Sequence, residues 1–199
     1  LTFDKILRAM LRQAPNVILV GEIRDGIVAD VAIQAALTGH LVFSTLHTND
    51  APSAITRLVD MGVKPFLVAS SIQAIMAQRL VRVICKNCKT VDKDPDPHHL
   101  RLLNITPEDL KNKSIYKGAG CSQCNGIGYK GRKGIFEMVE LNNEVRELAF
   151  SKAPTSELRK ACIAGGMRTL MEDGKAKIFK GVTTPDEIAA IAQMEGVVV

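Results

Sequence analysis

Four of the five cysteines in this 199-residue chain fall in two Cys-x-x-Cys pairs, which are its most specific chemical signal. The first pair is Cys85 and Cys88, and the second is Cys121 and Cys124. Each pair can present two thiolates to one metal ion, and two pairs supply the four sulfur ligands of a tetrahedral zinc site. Because four thiolates leave no coordination position open, we expect a structural rather than a catalytic zinc ion.

Two other interpretations of the cysteine pairs stay open: two separate reduced dithiols, or a redox pair of the thioredoxin kind. A redox pair needs its own β-α-β setting, which the sequence around neither pair suggests. A disulfide framework is not expected in a chain of this size without a secretory signal. His98 and His99 are available as further ligands, whereas Cys162 falls in a helical pattern and is expected to be a buried, inert thiol.

A second group of candidate residues follows two short apolar segments. Glu22 comes shortly after Val17–Val20, and His47 comes directly after residues 41–46. A carboxylate at the end of a strand can order a water molecule for attack or hold a hydrated Mg²⁺ through its waters. Taken alone, each residue could belong to an ordinary solvated turn or loop. Since both follow comparable segments, we favour a shared ligand site.

The elements that must position Glu22 and His47 form a β-α-β pattern. Both apolar segments are typical of short buried strands, and the alanine-rich segment Gly26–Leu37 between them is predicted to be a helix. A right-handed crossover brings both strand ends to one edge of a parallel sheet, where ligands bind in open α/β folds. The predicted fold class is therefore α/β.

The remaining patterns predict mainly helices. We expect residues 131–139 to form a turn and a strand, and residues 195–199 to be an apolar tail. Thr2 is expected to cap the first helix, and Asn49 or Asp50 the third. The predicted helices other than the alanine-rich one cover residues 2–13, 51–61, 65–79, 142–150, 155–164, 169–180 and 185–194. A further helix is expected to start within residues 106–110.

Composition narrows the function classes. Hydrophobic residues make up 46% of the chain and charged residues 24%, as in soluble globular proteins. Aromatic residues make up only 4%, which argues against stacking on nucleic-acid bases. The net charge is +5, and the basic residues are interspersed with acidic ones. This pattern predicts a solvated basic face, with contact to phosphate or anionic lipid as the alternative. No apolar run reaches membrane-spanning length. Because the chain starts at Leu1 in mid-pattern, we expect a fragment of a longer protein.

Several of these segments resemble one known family. Residues 17–25 are similar to the Walker B segment of the secretion ATPase superfamily, and residues 38–49 resemble its His box. Residues 78–80, the two cysteine pairs and the segment 167–174 match the subgroup that drives type II secretion and type IV pilus assembly. The cysteine pairs distinguish this subgroup from the pilus retraction motors, which lack them. The resemblance covers nearly the whole chain.

The resemblance implies a homohexameric ATPase, cytoplasmic and peripherally associated with the inner membrane of a bacterium. ATP hydrolysis would rotate or displace its subunits against an inner-membrane platform protein. A cytoplasmic adaptor would be a further partner, and no nucleic acid would be bound. The implied α/β fold has the C-terminal half of a RecA-like P-loop ATPase core in residues 1–84. A tetracysteine zinc subdomain would follow in residues 85–130, and a mainly helical C-terminal subdomain in residues 131–199.

By position, the resemblance assigns roles to single residues. Glu22 corresponds to the Walker B glutamate that orients the attacking water and supports Mg²⁺. His47 corresponds to the His-box residue that senses or stabilises the γ-phosphate of ATP. His40 is the second His-box histidine, and together with Arg24 and Asp25 of the Walker B neighbourhood it is assigned to nucleotide binding. The four paired cysteines are the zinc ligands.

The chain departs from a complete P-loop ATPase in two ways. Gly21 stands where most such enzymes have a metal-holding aspartate; the family shares this feature, so we expect an indirect contact with Mg²⁺. The chain also contains no GxxxxGK[ST] motif, whose lysine and hydroxyl make the largest phosphate contacts. The family places that motif upstream of Leu1. We therefore expect this chain to be inactive as it stands.

Two non-enzymatic alternatives remain. The first is a zinc-stabilised protein interaction module in which the sheet has no nucleotide role. The second is a zinc-ribbon nucleic-acid binder, which the few aromatic residues and the lack of a continuous basic stripe disfavour.

Overall fold

The computed structural model describes residues 2–194 of the chain, which form an α/β fold. The strands are β1 (Val17–Val20), β2 (Leu41–Ser44), β3 (Ala74–Ile84), β4 (Lys89–Val91), β5 (Tyr116–Gly118) and β6 (Tyr129–Glu140). The helices are α1 (Phe3–Leu11), α2 (Gly26–Leu37), α3 (Ala51–Asp60), α4 (Pro65–Ser71), α5 (Pro97–Leu102), α6 (Pro107–Lys111), α7 (Asn143–Phe150), α8 (Thr155–Ala164), α9 (Leu170–Phe179) and α10 (Pro185–Met194). The predicted tail at 195–199 lies outside the described residues. Within residues 2–194, every helix is too short or too polar to cross a membrane.

Two compact units divide the chain. One contains Leu1–Met76 and Met138–Met167, and the other contains Ala77–Glu137 and Arg168–Val199. Each unit is therefore assembled from two separate stretches of sequence. Two of the three boundaries fall within the long strands β3 and β6, and the third lies between Met167 and Arg168, before α9. The three consecutive segments expected from the sequence are a different kind of division and stay a prediction.

The β-α-β pattern in the first unit is confirmed. β1 and β2 pair in parallel, with Val17 opposite Leu41 and Val20 opposite Ser44. Ile18 and the last residue of β1 point into the core, which also receives the alanine-rich face of α2. Because side chains alternate along a strand, the other face of β1 is left to solvent in this chain.

The predicted helices are confirmed with one exception. The exception is residues 65–79, where the structure has α4 ending at Ser71 and β3 starting at Ala74. Residue burial along β3 alternates with a period of two, which is the strand period rather than the helical one. Phe66 and Met76, which the helical interpretation placed inside, are exposed. Short apolar runs satisfy both periods, so tertiary pairing decides between them.

Two smaller expectations are corrected. Thr2 occupies the cap position of α1, but its side chain makes no capping hydrogen bond. Residues 131–139 are not a turn followed by a strand, because β6 runs without interruption from Tyr129 to Glu140. For α3, the cap is Asp50, whose carboxylate accepts the backbone N–H of Ser53 at 2.8 Å.

The second unit has its own hydrophobic core and sheets. β4 pairs antiparallel with β5, and β3 pairs with β6. Helices α5 and α9 each pack against α10. The buried core side chains come from the strands, the segment between the cysteine pairs and the last two helices: Val81, Leu103, Ile105, Ile115, Ile135, Leu170, Ile178 and Ile188.

Candidate functional site

The carboxyl ends of β1 and β2 stay joined beyond the last residue pair of the sheet. The backbone N–H of Ile23 donates to the Thr45 carbonyl oxygen at 3.0 Å. The Thr45 hydroxyl donates to the Gly21 carbonyl oxygen at 2.7 Å. These two bonds hold the segments after the strands side by side, so Glu22 and His47 emerge from neighbouring backbone at one sheet edge.

Glu22, Arg24 and His47 form a charged cluster at this edge. Nε2 of His47 lies 2.9 Å from Oε2 of Glu22, and the guanidinium of Arg24 makes an ion pair with Oε1. The Glu22 side chain keeps 31% of its surface exposed, so water still reaches it. The structure therefore brings together three of the five residues that the sequence assigned to catalysis and nucleotide binding.

The cluster keeps the carboxylate ionised. The hydrogen bond from Arg24, followed by that from His47, holds the pKa of Glu22 below its ordinary value. Glu22 in turn raises the pKa of Arg24. A carboxylate of low pKa is a weak proton acceptor, but it can orient a water molecule and attract a hydrated cation. The geometry thus favours water orientation over proton abstraction.

Asp25 and His40 make contacts of a different kind. Asp25 caps α2, and its carboxylate accepts the backbone N–H of Val28 at 2.9 Å. His40 precedes β2, at the end of that strand away from the cluster. Its Nδ1 lies 3.1 Å from the Ala35 carbonyl oxygen and 3.2 Å from the Thr38 hydroxyl. The hydrogen bonds described for both residues therefore tie them to α2, and their role in nucleotide binding stays a prediction.

The loop that carries His47 is anchored by residues that the sequence analysis did not single out for the site. Thr45 holds its first part, as described above. At its far end, Oδ2 of Asp50 accepts a hydrogen bond from Arg159 of α8 at 2.7 Å. Asp50 was recognised only as a helix cap, and nothing in the local pattern connects it with a residue so distant in sequence.

In the second unit, the four paired cysteines converge on one point. Their Sγ atoms all lie within 4.8 Å of one another. The distances are 3.9 Å for Cys85–Cys121, 3.8 Å for Cys88–Cys124 and 3.7 Å for Cys121–Cys124. A tetrahedral zinc ion with Zn–S bonds of about 2.3 Å places its sulfurs about 3.8 Å apart. The cluster can therefore hold a metal ion such as zinc.

Hydrogen bonds from backbone and side-chain donors change the pKa values of these thiols. Burial opposes ionisation of Cys124, but the N–H groups of Cys121 and Gly128, each 3.3 Å from its Sγ, outweigh burial and lower its pKa. The Asn87 side chain, which the sequence analysis overlooked, lowers the pKa of Cys121 to about 6. Burial raises the pKa of Cys88 to about 12, so an incoming cation must displace that proton. The thiolate is the form that binds metal, so the lowered pKa values of Cys121 and Cys124 favour metal binding.

Close backbone contact clamps the two cysteine pairs together. The N–H of Cys85 donates to the Gly128 carbonyl oxygen, and that of Ala119 donates to the Cys88 carbonyl oxygen, both at 2.9 Å. A Cβ atom on Gly118 would lie 2.0 Å from the same Gly128 oxygen. A glycine is therefore required at position 118 for this approach.

Fold and site together define an α/β protein with a charged cluster at the carboxyl edge of parallel strands and a metal-capable cysteine module. The family model described as type II/IV secretion system protein matches residues 1–190. The chain belongs to this family, and the resemblance predicted from its motifs is confirmed.

Characterised relatives come from both branches of the predicted subgroup. The chain is 47% identical over 190 residues to the type IV pilus assembly ATPase PilB of Thermus thermophilus, covering 96% of this chain and 21% of that protein. It is 44% identical over 195 residues to type II secretion system protein E of Pseudomonas aeruginosa, covering 98% of this chain and 38% of that protein. The chain thus spans about a fifth to two fifths of the length of these relatives.

Solved structures support the fold. The pilus retraction motor PilT with bound ADP matches 96% of this chain and 43% of its own, with a TM-score of 0.65 and 26% identity. The ATPase DotB of Legionella pneumophila matches 97% of this chain and 42% of its own, with a TM-score of 0.64. At 20% identity, DotB shares the fold alone.

Proposed function

We propose that this chain is the C-terminal portion of a hexameric motor ATPase that hydrolyses ATP to power type II protein secretion or type IV pilus assembly. Relatives at 44–47% identity are named for both machines. The observation that carries the proposal is the 2.9 Å contact between Glu22 and His47. Two segments separated by a whole helix deliver these side chains to one edge of a parallel sheet, where such folds bind ligands.

In this proposal, Glu22 orients the water molecule that attacks the terminal phosphate. When bound, ATP would supply the phosphate bond that breaks, and Mg²⁺ would neutralise the charge on the phosphate oxygens. Arg24 keeps the carboxylate ionised and fixes one of its oxygens, so that Glu22 would be able to hold a hydrated cation through its waters. His47, largely exposed on its loop, senses or stabilises the γ-phosphate while its Nε2 contacts Glu22.

The four paired cysteines are proposed to hold a structural zinc ion. Their spacing fits a closed S₄ site, which leaves no position for a substrate. In this role the metal stabilises the clamp between the two cysteine pairs and takes no part in hydrolysis.

The ATPase core in this chain is proposed to be partial, with the rest supplied by other parts of the protein. The 199 residues contain no P-loop motif. The exposed face of the first sheet is also apolar: Val17 lies opposite Leu41, and Leu19 opposite Phe43. Parallel sheets are normally covered on both faces, so this face is suited to further packing. We expect the chain alone not to hydrolyse ATP.

The larger setting is proposed by analogy with the family. The complete protein would form a homohexamer in the cytoplasm, associated peripherally with the bacterial inner membrane. Its partners would be the inner-membrane platform protein and a cytoplasmic adaptor of the secretion or pilus machine, without nucleic acid.

The test compares this chain with the same protein extended upstream to include its P-loop. Nucleotide binding is measured by calorimetry, turnover by phosphate release and assembly by light scattering. We expect binding, turnover and hexamers only in the extended protein. An extended hexamer that neither binds nor hydrolyses ATP would contradict the proposal and favour the zinc-stabilised interaction module.

A further inference from the structure

Thr45 occupies a special position relative to the candidate site. Regular pairing of β1 with β2 ends at Val20 and Ser44, and Thr45 is the next residue. Beyond that point, Thr45 makes two hydrogen bonds to the segment after β1. Its hydroxyl donates to the Gly21 carbonyl oxygen at 2.7 Å, and its carbonyl oxygen accepts the Ile23 N–H at 3.0 Å.

These two bonds bracket Glu22. One is made to the residue directly before it and the other to the residue directly after it, so both peptide groups of Glu22 are tied to the same partner. Gly21 has no side chain, and nothing lies within 4 Å of the place where its Cβ would be. Gly21 therefore has no side chain that packing could hold, and the hydrogen bond from the Thr45 hydroxyl restrains its carbonyl group.

Thr45 also anchors the start of the loop that carries His47, the other half of the pair. His47 follows Thr45 by two residues, and its side chain is 85% exposed, so packing contributes little to its placement. A chain bonded at Thr45 starts the His47 loop from a defined point beside Glu22. The contact between His47 and Glu22 thus depends on the alignment of two strand ends that Thr45 holds together.

We propose that Thr45 is a positioning residue that sets the Glu22–His47 pair through its hydroxyl. The geometric part concerns this chain alone, whereas its consequence for turnover rests on the proposed ATPase function. A valine at position 45 keeps the shape of threonine without the hydroxyl, and a serine keeps the hydroxyl without the methyl group.

The geometric part is tested in this chain by NMR with three variants. Thr45→Val is compared with Thr45→Ser and with the control Thr48→Val, which removes a hydroxyl bonded to the Asp50 carbonyl oxygen within the same loop. We expect Thr45→Val to raise the pKa of the Glu22 carboxyl toward its ordinary value and to shift the His47 ring resonances. Thr45→Ser and Thr48→Val should leave both signals close to the unmodified chain.

Two results would overturn the geometric part. The first is a Thr45→Val chain that loses thermal stability while the Glu22 and His47 signals stay unchanged, since this would make the residue merely structural. The second result applies if Thr45→Val does not fold, and it is measured on the unmodified chain through the NMR couplings that report χ1 of Thr45. We expect a single rotamer, because the hydroxyl is held in its hydrogen bond to Gly21. Averaging over several rotamers would contradict the proposal.

The consequence for turnover is measured in the extended protein. We expect Thr45→Val to lower kcat by about tenfold with little change in KM, and Thr45→Ser to retain activity, because a misaligned water-orienting group weakens only the chemical step. A shifted Glu22 signal with normal kcat would refute the catalytic consequence. Normal turnover in Glu22→Gln would instead refute the role proposed for Glu22, and an unmodified extended protein without turnover would refute the proposed function; both results leave the positioning result standing.

Discussion

Replacing Cys124 with serine removes one sulfur from the cysteine cluster. Cys124 is only 4% exposed, and its Sγ accepts two backbone N–H groups in addition to facing the other sulfurs. Structural zinc sites of four ligands contribute about 10–16 kcal/mol. If the four thiolates share this about equally, losing one costs about 3 kcal/mol, or about a 100-fold loss in zinc affinity.

The chain offers a matched control in Cys162. This cysteine is equally buried, at 3% exposure, but lies on α8 in the other compact unit. We expect the unmodified chain and Cys162→Ser to carry one zinc ion each. Cys124→Ser should lose its zinc to a chromogenic chelator at concentrations that leave the other two loaded.

The spectrum of the cobalt-substituted protein provides a second measurement. Four thiolates in a tetrahedral arrangement give strong ligand-field bands, which should weaken in Cys124→Ser and persist in Cys162→Ser. Equal zinc affinity in Cys124→Ser and the unmodified chain, or a loss of zinc in Cys162→Ser, would refute the assignment of the ligand set.

Three further predictions concern stability. Gly118→Ala should destabilise the cysteine unit by about 1–3 kcal/mol in urea unfolding, because its Cβ would meet the Gly128 carbonyl oxygen; an unchanged midpoint would be the contrary result. The ion pair with Lys175 lowers the pKa of Asp109 from 3.8 to about 2, so its stabilisation is complete above pH 4 and lost between pH 4 and 2. Lys175→Met should flatten the pH dependence of stability in that window, and an unaltered acid limb would argue against it. Arg159→Gln should cost about 1 kcal/mol in thermal unfolding by breaking its partly buried ion pair with the cap of α3, whereas no loss would mean that this loop is anchored otherwise.

Sequence patterns predicted the elements around the site well because their signals are local. A run of apolar residues bounded by a proline turn and Gly21 marks β1, and an alanine-rich segment that stops at Thr38-Gly39 marks α2. The helix predicted for residues 65–79 was wrong because short apolar runs fit both periods. The choice of β3 depends on its pairing with β6, more than forty residues away.

The positions of the main residues of the candidate site were predictable from the sequence, whereas the contacts that hold them were not. Strand-end positions and the crossover rule were sufficient to expect Glu22 and His47 at one edge. The hydroxyl bond from Thr45 and the anchor from Arg159 depend on three-dimensional contacts, for which a single sequence carries no signal. For His40 the sequence motif predicts a role in nucleotide binding, whereas its hydrogen bonds in the structure are made to the end of α2.

Glu22 is proposed to orient the attacking water without being needed to bind the nucleotide. The direct measurement is ATP binding and turnover by the extended protein with Glu22→Gln, beside the control Glu140→Gln, an exposed carboxylate at the end of β6. We expect Glu22→Gln to bind ATP and assemble normally while its turnover falls to background, and Glu140→Gln to behave like the unmodified protein. Normal turnover by Glu22→Gln would show that this carboxylate does not orient the attacking water.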